Sequence, residues 1–135
     1  MIDVFPPLHE KCRCSIVKAD SICAGTATVE GLLGADYTIK NIKRLPQNYI
    51  SKKGAKAKGW KAFLGNLRIA LPKATIGGDV YQNKEKKLPQ KVGRVWYEAD
   101  VNYLGGYRNS HRLIYSNDGL IFITYDHYLT FYEII

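Results

Sequence analysis

Four residues in the C-terminal half of the chain have the types needed to move protons and to hold a phosphate group. Glu98 lies in the stretch WYEADVNY, Arg108 and Arg112 lie in RNSHRLIYS, and His127 lies in a polar break within TYDHYLTFYEII. Cleavage of a phosphodiester by an internal hydroxyl requires a general base, a general acid on the opposite side and fixed positive charge around the phosphorus. Each residue taken alone is better explained by a structural role. Their combination predicts a site for phosphodiester chemistry.

Alternation along the strands predicts how these side chains are positioned. In WYEADVNY, side chains alternate with a period of two residues. One face is suited to burial and consists of Tyr97, Ala99, Val101 and Tyr103. The other face consists of Trp96, Glu98, Asp100 and Asn102. In the next strand Arg108, Ser110 and Arg112 share a face, so a carboxylate and two arginines meet on one surface if the strands are neighbours. His127 then projects from the last hairpin turn.

The order of the elements predicts an α+β fold. Helical periodicity ending before Pro46 predicts a first helix over residues 31–44, Ser51 is expected to cap a second helix that ends at Gly59, and a third is expected over Asn66–Leu71. From Thr75 onward, short alternating runs predict strands over Thr75–Tyr81, Arg94–Tyr103, Arg108–Ser116, Leu120–Thr124 and Thr130–Ile134. Helices followed by strands favour N-terminal helices packed on one face of a five-stranded antiparallel sheet.

The formal charge of +8 over 135 residues is concentrated in residues 36–135. So basic a small domain suggests a polyanionic partner, nucleic acid first and acidic protein second, although the charge could serve solubility alone. No apolar run is long enough for a membrane helix, and the stretch MIDVFPPLHEKCRC lacks the apolar core of a signal peptide. We therefore expect no membrane association and a location in the cytoplasm.

The three cysteines, Cys12, Cys14 and Cys23, all lie in the first quarter of the chain. Their odd count argues against a disulfide framework and favours free thiols in a reducing compartment. Together with His9 they also provide the four ligands that a closed zinc site needs. Zinc binding is the less favoured interpretation, because Cys-X-Cys spacing is weak evidence.

Seven motifs follow one another from Leu45 to Ile135: LPQNYISK, GW at Gly59–Trp60, GNL, IGGD, GRVWYEADVNY, GYRNSHRLIYS and TYDHYLTF. Together they closely resemble the barnase-like family of microbial guanyl-specific ribonucleases. The resemblance implies the microbial ribonuclease fold. It also implies an endoribonuclease that needs no metal or cofactor and cleaves single-stranded RNA through a 2′,3′-cyclic phosphate, which it then hydrolyses.

The same resemblance assigns a role to each matching residue. Glu98 would be the general base and His127 the general acid. Lys52, Arg108 and Arg112 would hold the phosphate and the charge that develops on it. The residues that would line or arrange the site are Tyr128, Asn109, Ser110, Asp79 and Asp100.

Guanine recognition in this family uses a short loop, which here is Tyr81-Gln82-Asn83-Lys84-Glu85. By resemblance, backbone groups would meet the base edge and the Glu85 carboxylate would accept the hydrogens of guanine N1 and N2. Lys84 stands where the family usually has arginine, and Gln82 where serine is usual. Lysine lacks the flat, bidentate, stacking surface of arginine, so we expect a looser base preference.

The N-terminal stretch VFPPLHEKCRCSI resembles the closing motif of phage head-morphogenesis proteins, the minor capsid family. This second resemblance implies an appendage or linker over residues 1–30 and a ribonuclease domain over residues 31–135, acting as a toxin attached to a phage structural protein. It adds the phage particle to the cytoplasm as an expected location, although relatives in the ribonuclease family are secreted. A cytoplasmic ribonuclease would harm its host, so we expect an acidic inhibitor protein similar to barstar. We expect a monomer.

The alternative function is a catalytically idle RNA-binding or capsid-associated module that has kept the fold. An idle relative is expected to have lost Glu98 or His127, and both residues are present. The sequence therefore favours the enzyme.

Overall fold

The computed structural model of the chain describes residues 21–135. Within this range the helices are α1 (Ala35–Ile42), α2 (Lys52–Ala57), α3 (Leu67–Ala70) and two 3-10 turns, Gly31–Leu33 and Ala62–Leu64. The strands are β1 (Ser21–Ile22), β2 (Tyr49–Ile50), β3 (Thr75–Tyr81), β4 (Trp96–Asp100), β5 (Arg112–Ser116), β6 (Ile121–Thr124) and β7 (Tyr132–Ile134). The helices precede five of the strands, so the α+β prediction is confirmed.

The strands form one mixed sheet in the order β1-β7-β6-β5-β4-β3-β2. Its five inner strands are antiparallel neighbours and correspond to the five predicted strands. The prediction of a five-stranded antiparallel sheet is nevertheless wrong, because β1 pairs with β7 and β2 pairs with β3, both in parallel. Two-residue strands carry no readable alternation, so only their pairing reveals them.

The strands that carry the arginines and Glu98 are shorter than predicted. The left-handed φ of 57° at Asn102 and the pair Gly105-Gly106, with φ of 108° and 70°, interrupt the extended backbone after β4. Arg108 therefore lies in the connection between β4 and β5, while Arg112 is the first residue of β5.

Local sequence signals explain how α1 and α2 begin and end. The predicted first helix is divided by Gly34, whose extended φ and ψ of −75° and 161° separate the first 3-10 turn from α1. Lys43 closes α1 in the left-handed conformation at φ 67°. Ser51 caps α2 as predicted, because its Oγ accepts a hydrogen bond from the Gly54 backbone N–H at 3.1 Å. No helix between residues 21 and 135 is long and apolar enough to span a bilayer.

Both faces of the sheet are covered. On the α1 face the largest cluster of buried residues is Ala27, Ala35, Ile39, Val101, Leu113, Ile121, Ile123 and Ile134. A second cluster, Ala55, Trp60, Leu67 and Ile76, packs under α2 and α3. On the opposite face, which the alternation marked as polar, Trp96 is only 4% exposed and packs with Leu88 and Ile114. That face is polar only toward the end of β4 where Glu98 and Asp100 lie.

Residues 21–30 pack against the sheet. Besides the pairing of β1, the backbone N–H groups of Gly25 and Ala27 donate to the fully buried carboxylate of Asp36 at 2.7 and 3.2 Å. Further along, the Val29 N–H donates to Asn102 Oδ1 at 2.7 Å. The predicted division of the chain at residue 30 stays a prediction.

Cys23 is disulfide-bonded, so the prediction of free thiols is wrong for this residue. A disulfide sulfur is not a thiolate, so Cys23 cannot serve as the fourth zinc ligand in this state. The other predicted ligands, His9, Cys12 and Cys14, lie outside the described residues, as does the stretch that resembles a phage protein.

Candidate active site

One cleft of about 550 Å³ gathers all five residues to which a catalytic role was assigned: Lys52, Glu98, Arg108, Arg112 and His127. They come from α2, β4, the β4–β5 connection, β5 and the β6–β7 turn. The remaining lining residues are Val80, Tyr81, Gln82, Asn83, Lys84, Glu85, Tyr128 and Leu129. The described lining residues include four cationic side chains and two carboxylates, so the cleft attracts anions.

Glu98 projects from β4 into this cleft with its side chain 15% exposed. The Lys52 ammonium lies 3.4 Å from Oε2 of Glu98, and the Tyr128 hydroxyl donates a short hydrogen bond to Oε1. Burial and the Glu98 carboxylate raise the pKa of Tyr128, which keeps its hydroxyl proton available to donate. Both oxygens of Glu98 therefore face donors, which hold the carboxylate in a fixed orientation within the cleft.

Lys52 reaches Glu98 because the start of α2 is fixed to β3. The Lys52 backbone N–H donates to Oδ2 of Asp79 at 3.0 Å, and Asp79 lies directly opposite Glu98 in the β3–β4 register. A register shift between Gly77 and Asp79 marks a bulge at this point. Asp79 does not line the cleft and acts by positioning Lys52.

The two arginines converge on Asp100 and not on Glu98. Arg108 binds Asp100 through Nε at 2.7 Å and Nη2 at 2.8 Å, and Arg112 contacts it through Nε at 3.2 Å. Asp100 is 2% exposed, and its hydrogen bond to Arg108 raises the pKa of that arginine. Among the described residues, Nη1 of Arg108 and Nη2 of Arg112 keep no protein partner. Each guanidinium thus retains one free donor group for an anion in the cleft.

Asn109 and Ser110 lie at the rim, where they connect loops. Asn109 Nδ2 donates to the carbonyls of Val101 and Asn102 at 3.0 and 2.9 Å, and its own carbonyl accepts from Arg112 Nη1 at 2.6 Å. The carbonyl of Ser110 accepts the backbone N–H of His127 at 3.1 Å. Neither residue lines the cleft, so both arrange the residues that do.

His127 is exposed and stands in an unusual turn. His127 and Tyr128 both have positive φ, 58° and 73°, which non-glycine residues rarely adopt. Asp126 stabilises the turn by accepting from Thr130 N and Leu129 N at 2.9 and 3.2 Å and from the hydroxyls of Thr130 and Thr124. These bonds, above all that from the Thr130 hydroxyl, lower the pKa of Asp126.

The loop predicted to recognise the base, residues 81–85 (the base loop), is held closed by hydrogen bonds of the Asn83 side chain. Asn83, 3% exposed, donates through Nδ2 to the carbonyl of Leu88 at 3.0 Å and accepts the Leu88 N–H at 3.2 Å. Its side chain is therefore engaged within the loop, while those of Gln82, Lys84 and Glu85 are exposed. Exposed side chains on a closed loop are available to a ligand in the cleft.

Two side chains, Tyr81 at the start of this loop and Lys87 just after it, contact the turn that carries His127. The Lys87 ammonium donates to the carbonyl oxygens of Tyr128 and Leu129 at 3.0 and 3.4 Å. The ring of Tyr81 stacks on that of Tyr128, with centroids 5.1 Å apart and planes 9° apart. The sequence could not have predicted the contact of Lys87, because nothing nearby distinguishes it from its lysine neighbours. The turn stabilised by Asp126 could have been predicted, because the spacing of Asp126 and Thr130 is typical of such turns.

No group of three or more histidine, cysteine, aspartate or glutamate side chains between residues 21 and 135 is arranged to hold a metal ion.

Comparison with known proteins gives a consistent result. A family model described as ribonuclease matches residues 34–135. A ribonuclease from Heyndrickxia coagulans is 55% identical over 100 residues, which cover 74% of this chain and 91% of the relative. Ribonucleases from Bacillus intermedius and Bacillus pumilus are also 55% identical over 100 residues, and the match spans 61% of the length of each.

Proposed function

The chain belongs to the ribonuclease family and is an RNA-cleaving enzyme, and we propose that it is an endoribonuclease that cuts single-stranded RNA mainly after guanosine without the help of a metal. The observation that carries the proposal is the convergence of Glu98, His127, Lys52, Arg108 and Arg112 on one cleft. Side chains alone then supply the base, the acid and the positive charge that the reaction needs.

In the first step Glu98 takes the proton of the ribose 2′-hydroxyl, and the 2′-oxygen attacks the phosphorus. Lys52 and Tyr128, which contact the two carboxylate oxygens, orient Glu98 for this transfer. As the new P–O bond forms, the bond to the 5′-oxygen breaks, and His127 gives its proton to that oxygen. The product is a 2′,3′-cyclic phosphate and a free 5′-hydroxyl.

Negative charge on the phosphoryl oxygens is met by Lys52, Arg108 and Arg112. Asp100 fixes both guanidinium groups beforehand, so they need no reorganisation as the charge develops. In the second step the roles are exchanged: His127 takes a proton from a water molecule as the water oxygen attacks the phosphorus. The bond between phosphorus and the 2′-oxygen breaks, and Glu98 returns its proton to that oxygen, which leaves a 3′-phosphate.

Base selection belongs in this proposal to the loop from Tyr81 to Glu85. Its conformation is closed by Asn83, and the exposed Glu85 carboxylate, whose Oε1 lies 3.3 Å from the Lys87 ammonium, keeps lone pairs that can accept from the guanine edge. Lys84 lacks the flat, bidentate surface of arginine, and Gln82 stands where serine is usual in the family, so guanosine is preferred less strictly than in the family at large.

An RNA oligomer with a single guanosine, incubated with the full chain in excess EDTA, tests this function. We expect a cut after the guanosine, transient 2′,3′-cyclic phosphate ends, and no cut when that nucleotide is 2′-deoxyguanosine. Cleavage that stops in EDTA, or that leaves only 5′-phosphate ends, would indicate metal-assisted hydrolysis and would refute the proposed metal-independent mechanism. Binding without any cleavage would favour the idle RNA-binding module.

The biological setting extends the same proposal. A ribonuclease that acts inside a cell is toxic, and the cationic cleft is suited to an acidic inhibitor protein that covers it. We propose that the chain is a monomeric toxin domain preceded by an appendage. Size-exclusion chromatography with light scattering tests the monomer. Sequencing upstream of Met1 tests the attachment to a capsid-like protein.

A further inference from the structure

A second cavity, of about 490 Å³, lies on the face of the sheet opposite the cleft. It is bounded by the end of α1, by β4 and by the β5–β6 hairpin, and its lining residues are Ile39, Lys40, Lys43, Tyr97, Tyr115, Ser116, Asn117, Asp118, Gly119 and Ile121. None of them lines the cleft. Tyr97 and Glu98 are consecutive in β4, so their side chains point to opposite faces.

Four polar groups of this cavity have no partner within residues 21–135. The ammonium groups of Lys40 and Lys43 form no ion pair, and the hydroxyls of Tyr97 and Tyr115 form no hydrogen bond. Burial, with Tyr97 and Asp79 nearby, raises the pKa of Tyr115 to about 12, so its hydroxyl remains a donor at neutral pH. Four unused donors at one cavity are suited to an acceptor-rich ligand.

The charge of the cavity favours an anion. Among the lining residues between positions 21 and 135 the one carboxylate is Asp118, which is paired with Arg94 at 2.8 Å and accepts the Ser116 hydroxyl at 2.5 Å. The C-terminus of α1 adds a partial negative charge of about one half, which the two lysines exceed. The cavity therefore carries a net positive charge.

The walls of the cavity favour a planar group. The rings of Tyr97 and Tyr115 are stacked, with centroids 5.6 Å apart and planes 28° apart. Ile39 and Ile121 add apolar surface, and a Cβ built on Gly119 would meet nothing within 4 Å. Aromatic rings beside cations are the usual means of holding single-stranded nucleic acid.

We propose that this cavity binds one nucleotide of single-stranded RNA away from the cleaved bond, with the phosphate on Lys40 and Lys43 and the base against the Tyr97–Tyr115 pair. The proposal rests on the proposed function only in naming RNA as the polymer, because nucleotide binding here requires no cleavage. An acidic protein surface would satisfy the lysines but would leave the aromatic pair unused.

Titration of the isotope-labelled full chain with 2′-deoxyadenosine 5′-monophosphate, followed by amide NMR, tests the binding. We expect saturable shifts at Lys40, Tyr115 and Gly119. The double variant Lys40→Gln/Lys43→Asn should weaken binding at these amides at least about tenfold; asparagine tolerates the left-handed φ of 67° at position 43. The matched control, Lys58→Gln/Lys61→Asn, removes two exposed lysines that line neither cavity and should change nothing.

Three results would overturn the proposal. Shifts confined to the cleft would leave the second cavity without a nucleotide. Inorganic phosphate that reproduces the shifts with equal affinity would leave the base without a role. Shifts caused by a hexaglutamate peptide but not by the nucleotide would assign the cavity to an acidic protein.

Kinetics distinguish this proposal from the proposed function. In the lysine double variant we expect KM for a long single-stranded RNA to rise several-fold, with kcat/KM for the dinucleotide GpA unchanged. An unchanged KM for the long RNA counts against a role in substrate binding. Absence of GpA cleavage by the unmodified chain would instead refute the proposed function, while the NMR result would stand by itself.

Discussion

The hydroxyl of Tyr128 donates a hydrogen bond to Oε1 of Glu98. The ring of the same tyrosine packs edge-on against the imidazole of His127, with centroids 4.9 Å apart. One side chain thus contacts both residues to which we assign proton transfer, and through its stack on Tyr81 it also contacts the base loop. Substitutions at Tyr128 should therefore change the rate of RNA cleavage.

Tyr128→Phe tests this relationship, because it removes the hydroxyl and keeps the ring. A hydrogen bond to a charged group contributes about 1.5–3 kcal/mol, so we expect kcat/KM to fall roughly ten- to a hundredfold. Steady-state kinetics on a single-stranded RNA measure the change. Tyr132→Phe, in β7, is the control. Full activity of Tyr128→Phe would mean that the contact is only structural.

Glu98→Ala and His127→Ala should each reduce cleavage of RNA by roughly 10²- to 10⁴-fold, the usual contribution of a general acid or base. Both variants should lose activity on a pre-formed 2′,3′-cyclic guanosine phosphate as well, because hydrolysis uses the same two groups in exchanged roles. Steady-state rates on both substrates, with circular dichroism to check the fold, measure this. His111→Ala and Glu133→Gln, which lie outside the cleft, are the matched controls.

The unmodified chain should show a bell-shaped pH–rate profile, because the base must be ionised and the acid protonated in the same molecule. The two limbs belong to the coupled site and not to either residue alone. Removal of the imidazole in His127→Ala should abolish the basic limb. If that limb persisted with most of the rate retained, His127 would be a turn residue and the acid would have to be sought elsewhere in the cleft.

Lys84→Arg should sharpen the preference for guanosine. Arginine adds a planar, bidentate surface at an exposed position of the base loop. The ratio of kcat/KM for GpA to kcat/KM for ApA should therefore rise, while the rate of the chemical step on GpA stays unchanged. Dinucleotide kinetics measure the ratio, and Lys91→Arg, which does not line the cleft, is the control. Cut sites that fall mainly after pyrimidines would show that the loop has been assigned wrongly.

Asp118→Asn tests a pH-dependent contribution to stability. The hydrogen bond from Arg94 and that from Ser116 lower the pKa of Asp118 from 3.8 to about 2. A carboxylate with a lowered pKa in the folded state stabilises above its unfolded value and loses this effect as the pH falls through the folded value. The melting temperature of the variant should therefore be lower than that of the unmodified chain at neutral pH. The difference should shrink between pH 3.8 and about 2. A difference independent of pH would contradict the assignment, and Glu30→Gln is the control.

Local features of the fold could be predicted from the sequence, whereas features that depend on pairing could not. The Ser51 cap and the five inner strands follow from short-range patterns. Alternation placed Glu98, Asp100 and Arg112 on one surface, but only the β4–β5 register, with Asp100 opposite Arg112, decides which carboxylate the arginines meet. The burial of Trp96 also depends on packing that alternation does not show, because Leu88, from the connection before β4, and Ile114, from β5, pack against it.

The two strands that the alternation could not reveal are the outermost ones. An uncovered edge strand exposes a row of unpaired N–H and C=O groups on which another molecule can extend the sheet. Here β1 covers part of β7, with the Ala24 and Ile135 N–H groups donating to Ile135 and Ile22 carbonyls at 3.0 and 2.9 Å, and β2 covers part of β3. These short strands shield the sheet against intermolecular strand addition, so shortening the chain past residue 24 would favour aggregation even where the cleft stays intact.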